Sequence, residues 1–120
     1  TTHMSAFGDH VRKKRLEQQE ADPQFSLRKV AAAIEVEPSY LSKIERGEQP
    51  PPGERTILAL AKVLDEDPDV LLALAGKVSE ELQAIIRRRP ALFAQLIREL
   101  KNMPDHAVLR LVREVRDGKW

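Results

Sequence analysis

The segment SLRKVAAAIEVEPSYLSKIERG, residues 26–47, constrains the fold of this chain more than any other stretch. It is a helix, a break and a second helix, each bounded by residues whose backbone chemistry leaves few alternatives. Ser26 is a strong N-cap, because its hydroxyl accepts from an amide of the first turn. Behind it, Leu27, Val30, Ala31 and Ile34 recur at helical spacing. The tripeptide Glu35-Val36-Glu37 is the break. Pro38 then starts the next helix, since the N–H it lacks is unpaired at a first helical position anyway. Glu37 becomes the cap, where its charge suits the positive end of the helix dipole. Leu41 and Ile44 face inward, and Gly47 stands just past the end, where a left-handed residue closes a helix.

The same punctuation organises the rest of the chain. A first helix is predicted over residues 9–19, with Phe7, Val11 and Leu16 as its apolar marks and the basic run Arg12-Lys13-Lys14-Arg15 on its polar side. Pro23 disfavours helix at Asp22, so residues 20–25 are a loop. After the stiff Glu-Gln-Pro-Pro-Pro-Gly loop, a helix over 54–64 places Ile57, Leu58, Leu60, Ala61 and Leu64 on one side. Asp67-Pro68 opens a fifth helix that runs to Leu74 and is stopped by Gly76. Three further amphipathic helices follow. One is capped by Ser79, one starts at Pro90 and runs toward Asn102, and one starts at Pro104-Asp105 and is stopped by Gly118. Aromatic residues are 4% of the 120, so the core must be Leu, Ile, Val and Ala, which favours helices over sheets. No strand pattern, internal repeat or low-complexity segment is visible.

Cysteine is absent, which excludes a disulfide framework and a thiolate zinc site and fits a reducing compartment. No apolar run approaches the roughly 18 residues of a membrane span, and no signal peptide is visible, so a cytoplasmic protein is expected. Thr1–His3 read as a cloning remnant ahead of a native Met4. The net charge is +1, but it is uneven: residues 1–76 hold 10 basic and 13 acidic side chains, and residues 77–120 hold 10 and 6. A nucleic-acid-binding surface in the first part must therefore gather its positive charge on one face.

Two short helices joined by a tight turn, the second followed by Gly, form the generic helix-turn-helix. The detail goes further. Residues 7–76 resemble the Xre/Cro family of phage-repressor-like DNA-binding domains, through Phe7-Gly8, Val11 and Arg15, then the 26–47 segment, then PGERTILALAKVLDEDPDVLLALAG. The resemblance implies a five-helix helix-turn-helix domain whose third helix enters the major groove of double-stranded DNA. It implies that Ser39, Ser42 and Lys43 share or flank the outward face of that helix and that Arg46 lies near phosphates. Tyr40 then contacts phosphate, a thymine methyl or the neighbouring helix. Glu45 matches an acidic residue that pairs with an arginine of the first helix, here Arg15, in a structural contact. Arg12 is the member of the basic run assigned to DNA.

The chain departs from that family pattern at several positions. Leu27 stands where a phosphate-binding Gln is usual, and Arg28 and Lys29 are candidates to replace its contact. Glu35 stands where the turn usually has Gly, so the turn is held without the residue that adopts left-handed backbone easily. Lys14 occupies a commonly apolar position, and the loop between the first two helices is longer.

Other patterns carry less. Asp65, Asp67 and Asp69 have the spacing of a calcium loop, but Val70 and Gly76 stand where its Gly and Glu belong. His10 and His106 read as solitary. No nucleophile–base set, metal-spaced cluster or phosphate-cradling glycine loop is present, so neither an enzyme nor a cofactor or metal site is expected. Arg87-Arg88-Arg89 decorates a helix end, adds phosphate contacts or meets an acidic partner.

The chain thus reads as all-α: a repressor-like DNA-binding domain over 7–76 and a three-helix region over 77–120. The expected function is a sequence-specific transcriptional regulator, a repressor acting as a homodimer on an inverted repeat. Dimerisation is assigned to the second region through Phe93, Leu96, Ile97, Leu100, Val108, Leu111, Val112 and Val115. Part of that apolar surface is expected to meet the fifth helix through Val70, Leu71 and Leu74, and Trp120 is a candidate for the dimer contact. Two alternatives stand beside it: an antitoxin-type or protease-controlled repressor regulated by a protein partner, and a helical interaction module without DNA binding.

Overall fold

The computed structural model describes residues 6–118, and every described element is helical. The order is α1 (Ala6–Ala21), a 3-10 turn (Pro23–Phe25), α2 (Leu27–Ala33), α3 (Pro38–Glu45), α4 (Glu54–Leu64), α5 (Pro68–Leu74), α6 (Glu80–Arg88), α7 (Pro90–Leu100) and α8 (Asp105–Arg116). Thr1–His3, Met4 and Trp120 lie outside the described residues.

Helix boundaries follow local chemistry. Ser26 Oγ accepts from the Lys29 amide, and Asp67 Oδ1 accepts from the Asp69 amide at 2.9 Å, so α2 and α5 are both side-chain capped. Asp22, ahead of Pro23, is extended and accepts from the Gln24 amide, which turns the predicted loop into a single 3-10 turn. Glu37 occupies the N-cap of α3 but makes no side-chain cap hydrogen bond, so any contribution there is electrostatic. α1 is longer than predicted at both ends, because no proline stands between Ala6 and Asp22. α7 stops at Leu100, two residues earlier than predicted.

The chain forms two compact units, one up to Ser79 and one from Glu80. In the first, α1, α2, α3, α4 and α5 enclose a core of thirteen buried side chains: Phe7, Val11, Val30, Ala31, Ile34, Leu41, Ile44, Ile57, Leu60, Ala61, Leu64, Leu71 and Leu72. Truncating one of the fully buried leucines to Ala costs about 2–5 kcal/mol. Two expected core members are outside it: Leu16 is 42% and Leu58 39% exposed. Each sits at the edge of its helix's apolar stripe, and no neighbouring helix covers that edge. Leu71 is wholly committed to this core, whereas Val70 is 47% exposed. Lys77 is tied into the same unit by its Nζ, which donates to the Pro52 carbonyl at 3.1 Å.

In the second unit α6, α7 and α8 bury no side chain fully. Ile86, Phe93, Leu100, Met103, Val108 and Leu111 are half-buried, and the remaining large apolar residues among those described are exposed.

Candidate nucleic-acid interface

α3 is an amphipathic helix with its faces cleanly separated. Leu41, Ile44 and Glu45 are buried, while Ser39, Lys43 and Arg46 are exposed and Ser42 is half-buried beside them. Positions 39, 42, 43 and 46 follow helical spacing and so line one face. Pro38 and Gly47 hold its ends. Gly47, at φ 75°, donates to the Ile44 carbonyl, and the Glu48 amide donates to the Lys43 carbonyl at 2.8 Å. That is the paired closure of a Schellman motif. Tyr40 is half-buried and packs against the core, which leaves it at the edge of the outward face.

The inner face is locked to α1 by an ion pair. Arg15 Nε donates to Glu45 Oε2 at 2.7 Å and Arg15 Nη2 donates to Glu45 Oε1 at 2.9 Å. Arg15 Nη1 also donates to Gln19 Oε1 and to the Phe25 carbonyl, so each of the three guanidinium nitrogens has an acceptor. Both side chains are under one-tenth exposed. Gly8 permits the approach: a Cβ at this position would stand 2.3 Å from the Ile44 carbonyl oxygen. α1 therefore crosses the C-terminal end of α3 backbone to backbone.

The turn between α2 and α3 uses the same closure as Gly47, but with Glu35 in the left-handed position, at φ 61°. Its amide donates to the Ala32 carbonyl, and the Val36 amide donates to the Ala31 carbonyl at 2.9 Å. The turn is therefore held without glycine in its left-handed position. Glu35 adopts that conformation itself, at a cost of about 1–2 kcal/mol.

Positive charge is also exposed on α1 and α2, two helices that pack against α3. Arg28 and Lys29 are exposed in the first turn of α2, and with Ser26 and Ala32 they line a shallow surface concavity. Cations oppose the dipole at a helix N-terminus, so folding alone gives no reason for them there. Leu27 packs against the core, consistent with an anchoring rather than a polar role. Arg12 is exposed on α1. Arg46 is already engaged: its Nη1 donates to Ser42 Oγ at 2.9 Å and its Nε to the exposed Glu48 carboxylate.

Two contacts had no signal in the sequence. His10, read as solitary, has its Nε2 2.6 Å from Glu66 Oε1, which ties α1 to the segment before α5. Gln18 Nε2 donates to the Leu64 carbonyl at 2.8 Å and satisfies the end of α4. Their partners are 56 and 46 residues away, beyond the reach of any local pattern.

Of the residues assigned to dimerisation, Phe93, Leu100, Val108 and Leu111 are half-buried within the second unit, and Leu96, Ile97, Val112 and Val115 are exposed. Among the described residues, no group of His, Asp or Glu is placed to hold a metal ion, and no helix is long and apolar enough to cross a membrane.

No curated protein and no solved structure matches this chain. A family model described as a helix-turn-helix domain matches residues 6–74, which is α1 through α5 and more than half of the sequence. With α2, the Glu35 turn and α3 as its helix-turn-helix, the chain belongs to the helix-turn-helix domain family, a family of DNA-binding domains.

Proposed function

We propose that this protein is a sequence-specific transcriptional regulator of the Xre/Cro type, a repressor acting as a cytoplasmic homodimer on an inverted repeat. The observation that carries the reading is the division of α3. Its inner face is fixed by the Arg15–Glu45 pair, and its outer face offers Ser39, Ser42 and Lys43 free of any core role. A helix held this rigidly, with short donors and one long cation outward, suits the major groove. Lys43 can donate to guanine O6 and N7, and the serines to either base or phosphate.

Arg12, Arg28, Lys29 and Arg46 supply the phosphate contacts that set orientation but do not read sequence. Arg28 and Lys29 take over the contact that Leu27 cannot make. Arg46 must exchange Glu48 for phosphate on binding, so its contribution is reduced by the cost of breaking that pair. Tyr40 lies where it can touch a backbone phosphate or a thymine methyl. Two copies, with recognition helices about 34 Å apart, read two half-sites.

A protein-controlled repressor is the second reading, favoured by the apolar surface left uncovered on the second unit. Selection of bound sequences from a random DNA library by the full chain tests the main proposal. Enrichment of an inverted repeat is expected. Recovery of unrelated sequences at the affinity of random DNA overturns it and favours an interaction module.

A further inference from the structure

The outward face of α8 is self-complementary when two copies run antiparallel, and we propose that its occupant is α8 of a second copy of this chain. This rests on the homodimer reading above and gives it a centre, an orientation and a register.

Asp105, Leu109, Val112 and Arg116 are separated by four, three and four residues, and all lie within α8. That spacing is the d-a-d-a seam of a heptad, one stripe along the helix. All four are exposed, Leu109 by 53% and Val112 by 51%. The residues by which α8 packs into its own unit, Ala107, Val108 and Leu111, lie about a third of a turn away. The unit's own packing therefore leaves the stripe uncovered.

Its pattern specifies the partner. A parallel pairing would set Asp105 against Asp105 and Arg116 against Arg116. In an antiparallel pairing the two-fold axis passes between Arg110 and Leu111. Leu109 then meets the partner's Val112 and Asp105 meets the partner's Arg116, and the symmetry forms each pair twice. Antiparallel helices also oppose their dipoles favourably. Arg116 is available for this: its contact with Asp117, Nε to Oδ1 at 3.7 Å, is long and exposed.

α7 offers a weaker version. Leu92 and Leu96 are exposed there, but the cation that would complete their stripe, Arg89, precedes the helix with φ −137° and ψ 61° and so lies off the helical lattice. α8 is only about 18 Å long, so the contact is small, and a micromolar dimer that weakens with salt is expected.

The test uses the full chain, with sedimentation equilibrium for affinity and circular dichroism for helix content. Asp105→Arg and Arg116→Asp should each weaken the dimer about tenfold without loss of helix, since each places like charges opposite one another twice. The doubly exchanged chain should return to within about threefold of the wild type. The sequence has no cysteine, so introduced thiols report cleanly. On oxidation, a mixture of Leu109→Cys and Val112→Cys chains should cross-link several-fold faster than either alone. A dimer that ignores both charge reversals overturns this inference and leaves the homodimer reading standing. So does preferential cross-linking between Leu92→Cys and Leu96→Cys chains, which would put the axis on α7. A full chain that stays monomeric overturns the homodimer reading and this inference together.

Discussion

Arg15 and Glu45, thirty residues apart, meet through two parallel hydrogen bonds of 2.7 and 2.9 Å in a site almost closed to water. The pair joins α1 to α3, the second helix of the helix-turn-helix. Removing one partner strands a buried charge, which costs about 3–5 kcal/mol. Arg15→Ala and Glu45→Ala are each expected to lower the urea midpoint accordingly. Replacing both, as Arg15→Met with Glu45→Leu, should recover most of the loss, because no charge then remains buried. Unchanged melting of Arg15→Ala would remove this pair from the account of stability.

Gly8→Ala tests the crossing of α1 over α3. The added Cβ would stand 2.3 Å from the Ile44 carbonyl oxygen and 3.0 Å from that of Glu45, and backbone atoms cannot rotate away as a side chain can. A destabilisation of about 1–3 kcal/mol is expected from overpacking, despite the better helix propensity of Ala. Thermal melting decides it, and a neutral or stabilised variant would mean that the helices cross farther apart.

Glu35→Gly should do the opposite. Glycine adopts φ 61° without the steric penalty Glu35 bears, while its extra freedom in the unfolded chain offsets part of the gain. A net stabilisation of about 0.5–1 kcal/mol is expected in denaturant melts. Glu35→Val, branched at Cβ, should be worse than the wild type, so the order Gly, Glu, Val is the diagnostic result.

DNA binding should separate two classes of side chain. Lys43→Ala and Ser39→Ala are expected to weaken the selected operator more than random DNA, by about 1–3 kcal/mol of discrimination for a good base contact. Arg12→Ala and Arg28→Ala should weaken both DNAs alike and reduce the slope of log affinity against log salt by about 0.9 each. Equal losses on both DNAs for all four variants would place the reading face elsewhere.

A chain ending at Ser79 retains all thirteen buried core residues and the Arg15–Glu45 pair. It should fold with a single cooperative transition, sediment as a monomer, and bind a two-half-site operator far more weakly than the full chain. Dimerisation of the shortened chain would move the interface to the first unit.

Where helices start and stop in this protein was already set by its residues one at a time. Ser26, Pro38, Gly47, Asp67-Pro68, Gly76, Pro90 and Pro104 each act through their own backbone geometry or a hydrogen bond within a few residues, so no distant partner is needed to read them. Periodicity likewise gave the inner faces of α2 and α3, and the resemblance of residues 7–76 named Arg15 and Glu45. What the tertiary structure alone decided is what lies opposite each face. Leu16 and Leu58 fit the helical pattern and remain exposed, because an apolar stripe does not say how wide its neighbour is. His10 finds Glu66, Gln18 finds the Leu64 carbonyl, and Gly8 meets the backbone of Ile44. In the second unit the spacing put Val108, Leu111, Val112 and Val115 on one stripe of α8, and only packing separated the half-buried Val108 and Leu111 from the exposed Val112 and Val115. Local backbone preferences are written residue by residue, whereas contacts across tens of residues exist only once the helices have been placed.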